Sequence, residues 1–369
     1  MRRLVRTAVA AVALALTAAV PTATAAPGGP GVERVDTGSD GSQFSTYVYG
    51  GPVSANGRFA AFTATGPAPD CPASGSGCVY LKDLRTGALI RVPDTQYYAS
   101  GPLLSADARI VAYSSGNRFT KPYVHDRATG RTQQLWPADG GGRYELGTAQ
   151  AVSANGRYVA YTIGSRTPPE YESVLYVRDL VTGTDTQVLA PPLEGQLTGV
   201  MLSADGRTLA YGMLVPGGFD RTGRVYVEDL DSGVTVRADS DDYGDSTLAA
   251  LSADGRRVVI GSRSYPDGVT SARLVDLAGG HVRRLGLDGV LPVAADPAAR
   301  HVLLTDDTYA LSLLDVRTGG RRTVTTSAAL AVPGSVSSGG RAVEFRSEAP
   351  DLVPDDTNDV ADVFVSHPG

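Results

Sequence analysis

Short apolar runs separated by polar turns recur along this chain. VSANGRFAAFTA starts at Val53, LSADARIVAYSS at Leu104, VSANGRYVAYTI at Val152, LSADGRTLAYGM at Leu202 and LSADGRRVVIGS at Leu251. In each, a polar Ala-Asp or Ala-Asn turn precedes a β-branched and aromatic run such as Tyr158-Val159-Ala160-Tyr161. Such a run suits a buried strand, and Gly or Asn in the turn tolerates the positive φ a tight hairpin needs. A second pattern follows each of these. VYLKDLRTG ends at Gly87, PYVHDRATG at Gly130, LYVRDLVTG at Gly183 and VYVEDLDSG at Gly233, with weaker copies around Asp276 and Asp315. Here an alternating strand turns through Asp-x-x-Thr-Gly into an outer strand such as Val234-Thr235-Val236-Arg237. Each repeat thus supplies two hairpins, or four strands. Helical periodicity is absent outside the first 25 residues.

The serines of the first pattern measure the period: Ser54, Ser105, Ser153, Ser203 and Ser252, followed by degenerate copies with Ala294 and Ser337 at that position. The spacings run from 42 to 51 residues. A period of this length, at four strands per unit, predicts an all-β, seven-bladed β-propeller. The expected blades cover about 51–98, 99–137, 148–190, 198–240, 247–286, 290–326 and 332–369. Six second hairpins are complete, whereas the seventh starts at Asp362-Val363-Phe364-Val365 and lacks a fourth strand. Gly31-Val32-Glu33-Arg34-Val35-Asp36 has the pattern of an outer strand without a blade. It is predicted to pair with 363–365 and so close the ring with a blade built from both ends.

Composition fits this picture. The 44 glycines and 23 prolines of the 369 residues fall at regular places rather than in low-complexity tracts. Net charge is −6 and no basic stripe is present, so nucleic acid is not an expected partner. Arginine outnumbers lysine 31 to 2, which suggests a high-GC, actinobacterial source. Residues 1–25 read as a secretory signal peptide. Arg2, Arg3 and Arg6 precede an apolar run over 7–20, and Ala23-Thr24-Ala25 is an A-x-A cleavage site. One extracellular propeller domain over 26–369 follows, expected as a monomer. The only two cysteines, Cys71 and Cys78, lie seven apart in CPASGSGC. In an exported protein that spacing predicts a disulfide, and no neighbouring ligand pattern supports a metal instead.

The pattern S-A-D-G-R-x-(apolar)-A-Y followed by (apolar)-Y-(apolar)-x-D-L-x-T-G resembles the TolB-type, WD40-like bacterial propeller repeats, over about residues 31–369. The resemblance implies the propeller fold. It implies little about activity, because propellers host many. The extra α/β domain of TolB has no counterpart here. The segment 347–365 resembles a loop of secreted actinobacterial members.

No catalytic constellation is legible. G-x-S-x-G does not occur, and the repeated serines sit in turns. The four histidines, His125, His281, His301 and His367, show no metal-ligand spacing. The sialidase-type S-x-D-x-G-x-T-W box is incomplete. Hard oxygen ligands do cluster at Asp355, Asp356, Asn358 and Asp362, the type calcium prefers, and again at Asp239, Asp241, Asp242 and Asp245. Aromatic residues concentrate in segments that join second to third strands or one blade to the next: Tyr97, Tyr98, Phe119, Trp136, Tyr144, Tyr171 and Tyr243. These are the binding-face candidates. The expected role is a secreted, non-catalytic propeller that recognises a protein, peptide or glycan. The alternative is a lyase or lactonase-like hydrolase with a metal-assisted site at the channel.

Overall fold

A computed structural model describes residues 31–368 apart from 72–76, 94–97, 139–144, 166–172, 190–194, 218–219, 266, 287 and 355. The expected signal peptide lies outside the described residues, as do Tyr97, Tyr144, Tyr171 and Asp355. The described residues form seven antiparallel sheets of four strands. Blades 1 to 6 span residues 48–91, 99–134, 146–189, 196–237, 245–285 and 291–325. Each is a meander in sequence order. First strands of neighbouring blades lie against one another, so they surround the central axis, and fourth strands form the rim. Blade 7 takes three strands from residues 329–366 and its rim strand from Val32–Arg34. The closing pairs are Val32 with Ser366, Glu33 with Val365 and Arg34 with Phe364, as the unpaired terminal strand predicted.

The aromatic positions of the two sequence patterns meet inside each blade. Phe62 stacks on Tyr80, Tyr113 on Tyr123, Tyr161 on Tyr176, Tyr211 on Tyr226 and Phe345 on Phe364, with ring centroids 5.3 to 5.8 Å apart. All five are directly opposed residues on second and third strands. Such pairs contribute about 1 kcal/mol each beyond the apolar area they bury. Blades 5 and 6 place Ile260 opposite Arg273 and Leu303 opposite Leu313 instead. Between blades, Ala, Val and Leu side chains from facing sheets interdigitate, as where Ala272 and Leu285 of blade 5 meet Leu304 and Leu314 of blade 6. The core is therefore a series of slabs rather than one central mass.

The motif serines hold their own hairpins. Each hydroxyl oxygen accepts the backbone N–H five residues on, as from Phe59 to Ser54 at 2.9 Å and from Thr208 to Ser203 at 3.0 Å. In the first five repeats the same hydroxyl donates to the Asp or Asn two residues on. At the sixth repeat the serine's place belongs to Asp296, not Ala294: its Oδ1 accepts from the N–H of His301 at 2.9 Å. No serine stands there, and Ala294, two residues earlier, is a buried residue of the first strand, Leu291–Ala295.

The turns also bond one another around the axis. Ala55 N–H donates to Ala106, Ala106 to Ala154, Asn155 to Ala204, Ala204 to Ala253, Ala253 to Pro297, and Ser338 to Ala55. Pro297 has no N–H to pass the chain on to blade 7. There the bond reverses, and Gly339 N–H donates to Asp296 Oδ2 at 3.1 Å. The second carboxylate oxygen, which a serine lacks, completes the ring.

The seam between blades 7 and 1 joins an apolar cluster, in which Val35, Val363 and Val365 pack with Phe62 and Tyr80, to a set of buried ionisable groups. Arg34 forms ion pairs with Asp356 at 2.9 Å and Asp362 at 3.2 Å. Asp36 is buried and accepts the N–H of Val363 at 3.0 Å. Burial and the neighbouring Asp362 carboxylate push its carboxyl up to about 8, so at neutral pH Asp36 carries a proton, which it shares with Asp362. Burial raises the Asp362 carboxyl as well, opposed by the hydrogen bond from Asn358 and the charge of Arg34. From blade 1, Lys82 Nζ donates to the carbonyls of Thr37 and Gly38 and to the Thr37 hydroxyl. Glu344, also buried, accepts from Gly51 N–H at 2.6 Å, and desolvation raises its carboxyl well above the usual range.

Candidate functional site

The two ends of the ring differ. One end carries the serine turns and the Asp-x-x-Thr-Gly turns. These are cross-linked within blades 1 to 3 by Arg58 to Asp83, Arg109 to Asp126 and Arg157 to Asp179, at 2.6 to 2.8 Å. The other end carries the links between second and third strands and between blades. Six aromatic residues among those described are strongly exposed, at 42% to 65%: Tyr47, Tyr49, Tyr98, Phe119, Tyr265 and Tyr309. All six are on this second end. Tyr47, Tyr49 and Tyr98 enter first strands at the channel mouth, and Phe119, Tyr265 and Tyr309 sit between second and third strands.

Two of these rings are presented by strained backbone. Tyr98 has φ 40° and Tyr309 φ 62°. The left-handed region costs a non-glycine residue roughly 1–2 kcal/mol, and such outliers gather at functional sites. Asp306 fixes the turn below Tyr309: its carboxylate accepts from Thr308 N–H, the Thr308 hydroxyl and Ala310 N–H. The Tyr309 carbonyl accepts Ala329 N–H from blade 7 at 3.0 Å.

Of the sequence candidates, Tyr98 and Phe119 belong to this exposed set. Trp136 and Tyr243 are half-buried. Lys121 Nζ lies 3.6 Å from the Trp136 ring centre, and the Arg273 guanidinium 4.1 Å from that of Tyr243. Their faces are thus covered by cations of this chain. Sequence reasoning missed Tyr47, Tyr49, Tyr265 and Tyr309. The signal was available, because they occupy the same two kinds of position as Tyr98 and Phe119.

The acidic clusters are organised around arginines. Asp356 and Asp362 converge on Arg34, and Asn358 Nδ2 donates to Asp362 at 2.9 Å and to the Phe44 carbonyl at 2.8 Å. Asp239 takes both nitrogens of Arg237 at 3.1 and 2.9 Å, and Asp241 binds Arg237 at 2.7 Å and Arg224 at 3.2 Å. Arg237 holds the Asp241 carboxyl below its ordinary range. Asp245 accepts from Gly223 N–H and the Tyr265 hydroxyl, and Asp242 is exposed. Of the histidines, His125 is buried against the Thr132 hydroxyl, at 2.8 Å, and burial lowers its pKa. His301 faces Asp296, and His367 pairs with Glu33, which raises its pKa. Among the described residues no group of three or more His, Cys, Asp or Glu could hold a metal ion. Cys71 and Cys78 form the expected disulfide, with Cα atoms 6.1 Å apart, joining the second-to-third-strand link of blade 1 to its third strand.

No family model and no curated protein matches the chain. Solved structures do. An oligogalacturonate lyase in complex with manganese superposes with a TM-score of 0.65 at 14% identity, covering 92% of this chain and 93% of that one. The oligogalacturonate lyase of Vibrio parahaemolyticus gives 0.63 at 12%, covering 91% and 93%. The β-propeller domain of Cps50 (Swd1) from Myceliophteria thermophila gives 0.54 at 12%, covering 92% and 100%. By fold, the chain is a β-propeller, as the resemblance of its repeats to TolB-type, WD40-like propellers implies. Identities this low carry fold alone. No helix among the described residues is long and apolar enough to cross a membrane.

Proposed function

We propose that this chain is an exported propeller that binds a protein, peptide or glycan on its aromatic-bearing loop face and acts by recognition. The observation that carries the reading is one-sidedness: all six strongly exposed aromatic rings among the described residues crown one end of the ring. Tyrosine offers a large amphipathic contact area at low conformational-entropy cost, which suits sugar rings and peptide side chains alike. Export rests on the signal-peptide pattern of residues 1–25.

The test is retention of the chain spanning residues 26–369 on glycan arrays and in pull-downs from culture fractions. The comparison is a variant carrying Tyr47→Ser, Tyr49→Ser, Tyr265→Ser and Tyr309→Ser. The variant should melt within a few degrees of the parent and lose retention about tenfold or more. Equal retention by both proteins would end the proposal.

A lyase or lactonase-like hydrolase is the second reading, supported by whole-length likeness of fold to two oligogalacturonate lyases. The manganese named with one of them finds no matching ligand group among the described residues here, so no metal-assisted step is derived. Release of unsaturated product from oligogalacturonate, with manganese or calcium added, would move the assignment to an enzyme.

A further inference from the structure

Two grooves between neighbouring blades differ in how their arginines are neutralised. Between blades 2 and 3, a groove of about 400 Å³ holds Arg109, Arg131 and Arg157 together with Asp107 and Asp126. There Arg109 is paired with Asp126, and Arg157 with Asp179. Between the outer halves of blades 5 and 6, a groove of about 320 Å³ holds Arg283, Arg284 and Arg321 and, among the described residues, no acidic lining residue. Arg284 pairs with Asp288. Arg283 and Arg321 have no carboxylate partner among the described residues, in a chain whose net charge is −6.

The groove has a distinct construction. Its floor is Leu285, Leu314 and Val316, all buried. Arg283 comes from the rim strand of blade 5, Val282–Leu285, and Arg321 from that of blade 6, Arg321–Thr325. Gly286, whose φ of 78° suits glycine, lines the groove beside Arg321. Like charges brought together without a counter-charge leave a positive potential, and the apolar floor strengthens it by excluding water from one side. A guanidinium matches oxyanions through its planar fork of N–H donors. A volume of about 320 Å³ is at the small end of ordinary ligand sites.

We propose that this groove is an anion-binding subsite that takes one acidic group, a carboxylate, sulfate ester or phosphate ester, carried on a body the size of a sugar ring. The acid lies between Arg283 and Arg321, and the ring's apolar face rests on Leu285, Leu314 and Val316. The site is on the flank of the ring, apart from the aromatic face, and stands or falls independently of it.

The probes are glucuronate, glucose 6-sulfate and glucose 6-phosphate, with glucose as the neutral control, followed by ligand-observed NMR and calorimetry at low salt. At least one acidic sugar should bind and glucose should not. Arg283→Gln and Arg321→Gln should each weaken binding by about fivefold or more, given the strength of charge-assisted hydrogen bonds, and Arg131→Gln in the other groove should not. The preferred probe identifies whether uronic, sulfated or phosphorylated ligands are the source. If all three acids behave as glucose does, or if Arg131→Gln weakens binding as much as Arg321→Gln, the proposal is overturned.

Discussion

Replacing Asp36 by Asn should make this protein more stable, and increasingly so as pH rises. Asp36 is buried at the seam of blades 7 and 1, and its carboxyl is pushed up to about 8 by burial and by Asp362. The unfolded chain releases that proton near the ordinary value of 3.8, and the folded chain near 8. Across the window between them the folded state binds more protons than the unfolded state, so stability falls as pH rises and levels off above the folded value. Each unit is worth about 1.4 kcal/mol, so the wild type should lose up to about 4 kcal/mol between about pH 5 and pH 8. Asp362 titrates with it, so both macroscopic steps belong to the pair and the upper one sets this window. The asparagine of the variant has no proton to lose. Its oxygen can still accept from Val363 N–H, and its amide can donate to Asp362 where the shared proton was. Urea unfolding of both proteins at four pH values across that window is the assay. The variant should nearly match the wild type at the acid end and exceed it by a few kcal/mol at the alkaline end. Two parallel profiles, or a variant that is weaker at about pH 8, would refute the assignment of the proton to Asp36.

Two further predictions concern closure. Asp296→Ser removes the acceptor of Gly339 N–H and should cost about 1–2 kcal/mol in chemical unfolding; Pro297→Ala added to it restores the Ser-Ala turn of other repeats, supplies an N–H, and should recover part of the loss. Deleting residues 31–36 removes the rim strand of blade 7 together with the buried Val35 and the cation between Asp356 and Asp362, and should destabilise by about 3 kcal/mol or more, whereas deleting six residues of an exposed loop should cost far less.

Much of the architecture was legible because the forces that make a blade are local. A turn residue, a β-branched run and an aromatic position recur within a few residues of one another, as in Ser203 to Tyr211, and each copy reports the same hairpin. Asp296 escaped because its role rests on a hydrogen bond and not on hydrophobic pattern: a carboxylate oxygen does what a hydroxyl does elsewhere. The acidic segment around Asp356 read as a set of oxygen ligands, since a sequence does not show that Arg34, more than three hundred residues away, arrives between them. The same limit applies to the aromatic face. Position along the blade indicated which end a ring occupies, but whether Trp136 stays open or is capped depends on Lys121, and Tyr243 on Arg273, each from a different strand. Backbone strain at Tyr98 and Tyr309 has no sequence signature.

The pairing of Val32–Arg34 with Asp362–Ser366 also orders events in time. The rim strand precedes the other blade strands in synthesis, and its partner follows them all. Neighbouring blades can assemble by short-range contacts as they emerge, but this strand must wait for the whole ring before it can be satisfied. Until then blade 7 is incomplete, blades 1 and 7 each expose a sheet face, and the turn-to-turn ring has a gap. Closure of the circle therefore comes after the seventh blade is made, and a chain interrupted before that point is left as an open arc with adhesive ends.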